Sequence, residues 1–283
     1  MYRVGIIGSE NSHANAFSKC FNLSGEYDDV KVIGIWGEEP EAGKKLSEEC
    51  SIPIMTPEEM LGQVDGIMVT SRNGKLHPGY VRPFIEAGIP AFIDKPFAND
   101  YAEAEAIAEL AERKNVPIIG GSSLKFAAPT LELKKFADEA KAQNALYSGQ
   151  VFAPVNLVNP YGDFYFYSSH MVEIALTVFG FDPVAVTAVK VEKGVAVILE
   201  YASFAVTLSY NDHVFRYGGT VVAAEETFST PIKDPDAYRK EADHFVKMLK
   251  TGEVPQSNHD LIYPVRVLNA IEESYTRLTR VLL

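Results

Sequence analysis

The sequence predicts an α/β protein with an N-terminal, doubly wound parallel sheet and a C-terminal α+β domain whose open sheet is mostly antiparallel. In the N-terminal part, short apolar runs alternate with helical segments, as they do in right-handed βαβ units. In the C-terminal part, apolar runs follow one another across short turns, which indicates antiparallel pairing. The pattern changes near Ser122, so we expect one domain at 1–122 and a second at 123–283.

The first domain is expected to contain five strands with helices between them. Each strand is a short apolar run, typical of a buried strand; the runs are 2–7, 31–36, 66–70, 91–94 and 117–121. Helices are expected at 14–23, at 40–50, up to Ala87 and at 100–114. The last of these segments is rich in Ala and Glu, which favour helix formation.

The second domain is expected to mix helices with a run of consecutive strands. It begins with a helix at about 129–141, a strand at 147–152 and a helix at about 169–179. Four strands follow without helices between them, at 184–191, 195–201, 204–210 and 213–223. Short turns at 193–194 and 211–212 predict an antiparallel meander. Two helices, at about 235–251 and 263–281, close the chain.

Composition narrows the classes of function. The chain has 283 residues, 47% of them hydrophobic, which suits one large or two medium domains with a sizeable core. A net charge of −12 disfavours binding to nucleic acid or to an anionic membrane. Cys20 and Cys50 are too few for a disulfide scaffold and belong to no Cys/His cluster, so we expect no metal. No basic and apolar leader follows Met1, and no apolar run approaches about 20 residues, so we expect a cytoplasmic protein.

The fourth expected strand ends in Asp94-Lys95-Pro96. Side chains at the carboxyl end of a strand in an open parallel sheet face the ligand crevice. Lys95 is therefore a candidate for chemistry and not only for solubility. The alternative is an ordinary solvated lysine at the end of a strand.

The loop after the first strand is the place where a dinucleotide pyrophosphate would lie, on the amino terminus of the following helix. Of the fingerprint Gly-x-Gly-x-x-Gly only Gly8 is present, because Glu10 and His13 occupy the other two glycine positions. A carboxylate about 4 Å from a phosphate costs on the order of 4 kcal/mol at an effective dielectric constant near 20. Glu10 must therefore point away or pair with a cation, or the pyrophosphate does not bind there.

Polar residues around this loop offer other contacts to a nucleotide. Ser9, Asn11 and Ser12 can supply hydrogen-bond donors in place of the missing glycines. The alternative is a tight polar turn in which Asn11 or Ser12 caps the helix. An acidic residue after the second strand should bind the adenosine ribose. Position 37 is a glycine, so Glu38 is the expected ribose ligand, and its charge would disfavour a 2′-phosphate.

Two histidines stand out. His77 opens the helix after the third strand, near the crevice; the alternative is a surface residue of the helix cap. His170 and Glu173 lie at i and i+3 on one helical face, just after the aromatic stretch 161–167. Imidazole suits acid–base chemistry near neutral pH, and flat aromatic side chains suit the apolar faces of a sugar ring. The alternative is a first-turn histidine held by its neighbour, with the aromatic side chains in the core.

Taken in order, these stretches resemble the Gfo/Idh/MocA oxidoreductase family. The resemblance lies in VGIIG at 4–8, DKPFA at 94–98, GGSSLKF at 120–126, HMVE at 170–173, ADHFVKMLKTGEVP at 242–255 and AIEESYTR at 270–277. It covers nearly the whole chain. The family implies a Rossmann domain followed by a substrate domain whose open antiparallel sheet is often buried between subunits. Its members mostly oxidise or reduce a sugar, inositol or similar polyol with NAD or NADP.

The resemblance implies roles for individual residues. Lys95 would lie beside the nicotinamide and the substrate hydroxyl, and His170 would be the general base, with Glu173 orienting it. The expected catalytic residues are thus Lys95, His170 and Glu173, and the expected substrate-binding residues are Lys125, Tyr165 and Tyr167. The expected cofactor-binding residues are Gly8, Ser9, Asn11, Ser12, Glu38, Thr70, His77, Asp94 and Pro96.

The expected activity is hydride transfer between NAD or NADP, with NAD favoured, and a sugar, inositol or related polyol. A homodimer or homotetramer formed through the C-terminal sheet is also expected. Departures from the family pattern are the two missing glycines, Asp94 in place of Glu before Lys-Pro, and Glu173 in place of Asp. They leave open a non-catalytic, ligand-sensing or regulatory protein with impaired dinucleotide binding. Transient use of the nicotinamide for elimination or glycoside cleavage is a third possibility.

Overall fold

The computed structural model describes residues 1–283, which divide into two compact units. The first unit contains residues 1–121 and 238–262, and the second contains 122–237 and 263–283. The sequence places 238–262 in the second domain instead. The structure places it in the first unit because Ala242, Phe245, Val246 and Met248 pack in the same core as Val4, Phe17 and Phe92.

The first unit is built on a five-stranded parallel sheet with the strand order β2-β1-β3-β4-β5. The strands are β1 Tyr2–Ile7, β2 Val30–Trp36, β3 Gly66–Val69, β4 Ala91–Asp94 and β5 Ile118–Gly121. The helices are α1 Ser12–Asn22, α2 Pro40–Cys50, α3 Pro57–Met60, α4 His77–Glu86 and α5 Tyr101–Lys114. The sequence analysis missed α3, a single turn that Thr56 and Glu59 cap reciprocally.

The strand order sets where a ligand can bind in the first unit. From β1 the chain runs first to one edge of the sheet, at β2, and then to the other side through β3, β4 and β5. In such a sheet the binding crevice opens outside the carboxyl ends of the strands, at the point where the order reverses. The loops that follow β1 and β3 therefore border the crevice.

The second unit is built on a seven-stranded sheet with the order β11-β10-β6-β9-β8-β7-β12. Its strands are β6 Leu146–Val155, β7 Ala185–Val191, β8 Gly194–Glu200, β9 Ala205–Asp212, β10 Gly218–Ala223, β11 Thr227–Pro231 and β12 Val281–Leu282. A 3-10 helix at Ser123–Phe126 and the helices α6 Ala128–Ala142 and α7 Tyr165–Phe179 precede β7. The remaining helices of the chain are α8 Ala237–Thr251 and α9 Asn258–Arg277.

The mostly antiparallel sheet is confirmed, and one of its expected pairings is wrong. The meander holds for β7, β8 and β9. Residues 211–212, however, end β9 and form no hairpin with β10, because β6 lies between the two strands and pairs with β9 in parallel. Strand β10 begins only at Gly218, and β11 and β12 were not expected. None of the nine α-helices has the length and apolar character that crossing a bilayer requires.

Candidate functional site

The loop after β1 lies against the ends of the neighbouring strands. The amides of Gly8 and Ser9 donate to the Trp36 carbonyl at the end of β2, at 2.7 and 3.0 Å. Gly8 has a φ of +106°, and a Cβ built there would overlap the Ser71 amide nitrogen in the loop after β3. Only glycine allows this conformation and this approach, so the first glycine of the fingerprint has a structural reason.

We expect Gly8→Ala to destabilise the protein by about 1–3 kcal/mol from backbone strain alone, with a further cost from the overlap with Ser71. Urea denaturation followed by circular dichroism measures this change. Gly79→Ala is the matched control, because Gly79 lies in α4 with open space at its Cβ position. The control should raise stability by about 0.5–1 kcal/mol, since alanine favours a helix over glycine. Equal effects at the two positions would contradict the expectation.

Asn11 joins this loop to two further strands. Its Nδ2 donates to the Thr70 carbonyl after β3 at 2.7 Å and to Asp94 Oδ2 at the end of β4 at 3.2 Å. Its Oδ1 accepts from the His13 amide at 3.2 Å, which makes Asn11 the N-cap of α1. Asn11 therefore caps the helix, and the nucleotide-binding role of the loop stays a prediction. Three expected cofactor-binding residues, Asn11, Thr70 and Asp94, form one internal network.

His13, at the third glycine position of the fingerprint, pairs with Asp94. The distance from His13 Nδ1 to Asp94 Oδ2 is 2.7 Å, and both side chains are buried. Burial alone would raise the pKa of Asp94, but His13, Lys95 and His77 together outweigh it and lower that pKa below its ordinary value. The contact between His13 and Asp94 therefore holds the loop where the family pattern has a glycine.

Because the pKa of Asp94 is lower in the folded state than in the unfolded chain, its carboxylate stabilises the fold above the ordinary value of 3.8. This contribution is lost as the pH falls from 3.8 towards the folded-state pKa. We expect Asp94→Asn to reduce stability at neutral pH and to flatten the loss of stability in acid. Urea titrations between neutral pH and the acid limit of folding measure both effects. A variant with an unchanged slope in acid would show that Asp94 is not the group responsible.

Glu10, at the second glycine position, turns towards the end of β2. Only 8% of the residue is exposed. Its Oε1 accepts from the Arg72 amide at 3.3 Å, while Oε2 and the neighbouring Ser9 Oγ are buried without a hydrogen-bond partner in the chain. Burial raises the pKa of the Glu10 carboxyl above its ordinary value. The carboxylate thus leaves the loop's glycine position and approaches Gly37.

The acids after β2 have partners of their own. Tyr80 donates its hydroxyl to Glu38 Oε1 at 2.5 Å, and the Tyr80 ring meets Trp36 edge to face at 5.5 Å between centroids. Burial and then Glu38 raise the pKa of Tyr80. Glu39 lies 3.7 Å from the Arg72 guanidinium. The expected ribose ligand, Glu38, therefore already accepts a strong hydrogen bond.

His77 holds the loops after β3 and β4 from a fully buried position. Its Nδ1 lies 2.8 Å from the Pro96 carbonyl and its Nε2 lies 2.7 Å from the Ser71 carbonyl. Burial lowers the pKa of His77 against the opposing effect of these two acceptors. The surface alternative for His77 is wrong.

Lys95 is also buried, since only 4% of the residue is exposed. Its amide donates to Asp94 Oδ1 at 2.7 Å. Lys95 is therefore not an ordinary solvated lysine.

The second unit carries a buried cluster of polar and charged groups around Ser122. The Ser122 hydroxyl lies 2.6 Å from His170 Nδ1, and the Ser122 amide donates to Glu173 Oε2 at 2.7 Å. Lys125 Nζ lies 3.3 Å from the same oxygen. The i, i+3 spacing in α7 puts His170 and Glu173 on one face, where Ser122 contacts both. In the neutral tautomer whose Nδ1–H donates to the Ser122 hydroxyl oxygen, Nε2 is the unprotonated, basic nitrogen.

The two tyrosines predicted to bind substrate differ in their surroundings. The Tyr165 ring is buried, and its hydroxyl donates to Glu272 Oε2 and accepts from Asn269 Nδ2, both at 2.7 Å. The Tyr167 ring lies 6.3 Å from the His170 ring and 5.4 Å from that of Phe215. A substrate-binding role for each of them stays a prediction.

The structure brings together Asn11, Thr70, His77, Asp94, Lys95 and Pro96 in the first unit, and Lys125, His170 and Glu173 in the second. The sequence analysis missed Ser122, which contacts both His170 and Glu173. Its signal is present: a serine directly after the last parallel strand, in the stretch GGSSLKF. It also missed the approach of Glu10 to Gly37, because no local pattern predicts the direction of a side chain in an irregular loop.

The parallel sheet, the loop on the amino terminus of α1 and the buried polar groups at the strand ends define an α/β protein of the nucleotide-binding Rossmann class. Residues 2–122 match the family model GFO_IDH_MocA, described as "Oxidoreductase family, NAD-binding Rossmann fold". The matched segment, less than half of the chain, is therefore similar to the NAD-binding domain of the Gfo/Idh/MocA oxidoreductases.

Individual relatives are similar over part of the sequence or over the whole fold. The myo-inositol dehydrogenase Hyg17 of Streptomyces leeuwenhoekii is 33% identical over 91 residues, which are 31% of this chain and 28% of that protein. The chain therefore matches less than a third of that relative's length. Scyllo-inositol dehydrogenase of Lactobacillus casei, solved with NAD(H) and scyllo-inositol, has a TM-score of 0.85 at 13% identity, covering 100% of this chain and 99% of that one.

Two further solved structures share the fold. Myo-inositol 2-dehydrogenase of Lactobacillus plantarum has a TM-score of 0.86 at 14% identity, with 100% and 99% of the two chains covered. GenD2 from gentamicin A biosynthesis, in complex with NAD, has a TM-score of 0.87 at 16% identity, with 100% and 96% covered. At these identities the likeness shows a common fold.

Proposed function

We propose that this protein is an NAD-dependent dehydrogenase that transfers hydride between the nicotinamide and a secondary alcohol of an inositol, a sugar or a related polyol. The observation that carries the proposal is the buried cluster of His170, Ser122, Glu173 and Lys125. It offers an imidazole held by one ring nitrogen beside a carboxylate and an ammonium group. The match of residues 2–122 to the family model supports a NAD-binding oxidoreductase, and the inositol dehydrogenases among the relatives support the substrate class.

The residues of the first unit fit a bound dinucleotide. Helix α1 has eleven residues, and in its first turn only the His13 amide is taken by the Asn11 side chain, so the amides of Ser12 and Ala14 are further donors for a phosphate. At the end of β2 the buried, unpartnered Glu10 Oε2 and Ser9 Oγ suit a ligand that brings hydroxyl groups. The polar first loop therefore does not exclude the nucleotide.

The residues of this chain then divide the chemistry. A bound nicotinamide supplies the hydride acceptor or donor. His170 takes the hydroxyl proton on Nε2 during oxidation and returns it during reduction, because Nε2 is the basic nitrogen in the tautomer whose Nδ1–H donates to Ser122. The Glu173 carboxylate holds Ser122 in place by accepting from the Ser122 backbone amide. Lys125 provides a positive charge for a substrate oxygen. A role of Lys95 in proton transfer or in orienting the alcohol is what the family resemblance implies, and it stays a prediction.

NAD is proposed over NADP because carboxylates surround the end of β2. Glu10, Glu38 and Glu39 face this region, and Arg72 is the neighbouring cation, already paired with Glu39. A 2′-phosphate would bring further negative charge to three carboxylates, which costs free energy at short range.

The test is a titration of the purified chain with NAD⁺, NADH, NADP⁺ and NADPH by calorimetry. Assays of nicotinamide reduction follow, with myo-inositol, scyllo-inositol and a panel of hexoses. We expect NAD⁺ and NADH to bind more tightly than the phosphorylated forms, and at least one cyclic polyol to be oxidised. Absence of binding by all four nucleotides would refute the proposal.

We also propose a homodimer or homotetramer formed through the sheet of the second unit. Val189, Val191 and Ile198 on β7 and β8 are about half exposed, which leaves apolar side chains of the sheet facing outwards. Light scattering after size-exclusion chromatography tests this. If the wild-type protein is a monomer in solution, and Val191→Lys does not change its mass, the proposal is wrong.

A further inference from the structure

Compared with the usual dinucleotide-binding pattern, this chain has an acid in the first loop where a glycine is expected, and a glycine after β2 where an acid is expected. The fingerprint has glycine at position 10, where this chain has Glu10, and an acid is expected after β2, where this chain has Gly37. The structure brings the two positions together. A Cβ built on Gly37 would overlap Ser9 Oγ and lie 2.5 Å from Glu10 Oε2. The Glu10 carboxylate therefore occupies the space in which a side chain at position 37 would begin.

One oxygen of the Glu10 carboxylate accepts a hydrogen bond in the chain, and the other does not. The Arg72 amide donates to Oε1 at 3.3 Å, which fixes the side chain from the loop after β3. Oε2 has no donor in the chain and is shielded from water. A buried carboxylate oxygen without a donor is costly, and such groups call for an explanation such as a bound ligand. A donor carried by a ligand would satisfy it.

The other acids at this strand end are less suited to that ligand. Glu38 Oε1 accepts from the Tyr80 hydroxyl at 2.5 Å, and Glu39 lies beside the Arg72 guanidinium. Both side chains are directed by partners of their own.

We propose that Glu10 is the residue that binds the adenosine ribose hydroxyls of the nucleotide, in place of the acid that usually follows the second strand. The inference rests on the proposed NAD-binding function and assigns one contact within it. The ribose hydroxyls donate to the carboxylate of Glu10, and Ser9 Oγ lies beside them as a further partner. Gly37 is required because any side chain there would displace Glu10.

The variant Glu10→Gly distinguishes a Glu10 that binds the ribose from a Glu10 that obstructs nucleotide binding. If Glu10 only obstructs the loop, restoring the fingerprint glycine strengthens NAD⁺ binding. If Glu10 binds the ribose, its removal weakens NAD⁺ binding by about 10- to 100-fold, as expected for hydrogen bonds to a charged group. The measurement is the dissociation constant by calorimetry, with circular dichroism and thermal unfolding confirming that the variant is folded.

A nucleotide that lacks one ribose hydroxyl tests the contact directly. Wild type should discriminate against NAD⁺ lacking the adenosine 2′-hydroxyl, and Glu10→Gln, which keeps the shape of the side chain, should lose most of this discrimination. Glu39→Gln is the matched control and should keep it.

The outcomes separate the two levels of the proposal. A wild-type chain that binds neither NAD⁺ nor NADH refutes the proposed function itself. A wild-type chain that binds NAD⁺, together with a folded Glu10→Gly variant that binds it equally well or more tightly, overturns the role of Glu10 and leaves the function standing. Undiminished discrimination against the 2′-deoxy analogue in Glu10→Gln overturns it as well.

Discussion

Replacing His170 with glutamine is expected to lower the turnover number for polyol oxidation by about 10²- to 10⁴-fold, the usual contribution of general acid–base catalysis. Glutamine can still contact Ser122, which lies 2.6 Å from His170 Nδ1, but it cannot accept a proton near neutral pH. The fold should therefore survive while proton transfer fails. Steady-state rates at saturating NAD⁺ and substrate measure the loss.

The control for this variant is His213→Gln, because His213 is an exposed histidine of the same unit, paired at 3.7 Å with Asp212. It should leave the turnover number unchanged. The dissociation constant for NAD⁺ should be the same in both variants and in wild type. A His170→Gln enzyme that retains more than about a tenth of the wild-type rate would exclude His170 as the general base.

Lys125→Ala is expected to destabilise the protein by about 3–5 kcal/mol, because it removes the cation of a buried ion pair. Lys125 Nζ and Glu173 Oε2 are 3.3 Å apart, and both side chains are about 5% exposed. Lys125 also lies over the Phe126 ring, 5.2 Å from its centroid, so its stem and charge both have contacts to lose. Urea denaturation of the purified variant measures the change in the free energy of unfolding.

Lys134→Ala is the comparison for this variant, since Lys134 pairs with Asp138 on the exposed face of α6. A surface pair contributes about 0–1 kcal/mol, so this change should be small. The double variant Lys125→Met with Glu173→Leu should recover much of the lost stability, because no buried charge remains. Similar losses for Lys125→Ala and Lys134→Ala would show that the buried pair has no special weight.

Periodicity predicts the parallel sheet of the first unit well, because buried strands are continuous apolar runs that end abruptly, as Ala91–Asp94 does. The same reasoning fails where long-range pairing decides. Residues 211–212 read locally as a turn, yet they extend β9 because β6 supplies a parallel partner. The helix α7 begins at Tyr165, earlier than expected, since aromatic residues with weak helix preference are held there by packing and by the contact of Tyr165 with Glu272.

In the candidate site, too, local sequence predicts some features and tertiary structure decides the others. Residue type and order give Asp94, Lys95, His170 and Glu173 as candidate site residues, and the structure buries all four side chains. Their partners follow from tertiary structure and have no local signal. Glu10 could have paired with a cation or pointed to solvent; instead, the amide of Arg72, 62 residues away, directs it towards Gly37.

Asn11 has a thermodynamic consequence for binding. Its side chain uses both amide protons and its oxygen, on Thr70, Asp94 and the first turn of α1. A glycine-rich loop is free to sample many conformations until a ligand orders it, at about 1–2 kcal/mol of conformational entropy for each residue fixed. In this protein that ordering takes place during folding. If the nucleotide binds there as proposed, it finds a loop already ordered by these hydrogen bonds, and the entropy cost of ordering the loop is not added to the free energy of binding.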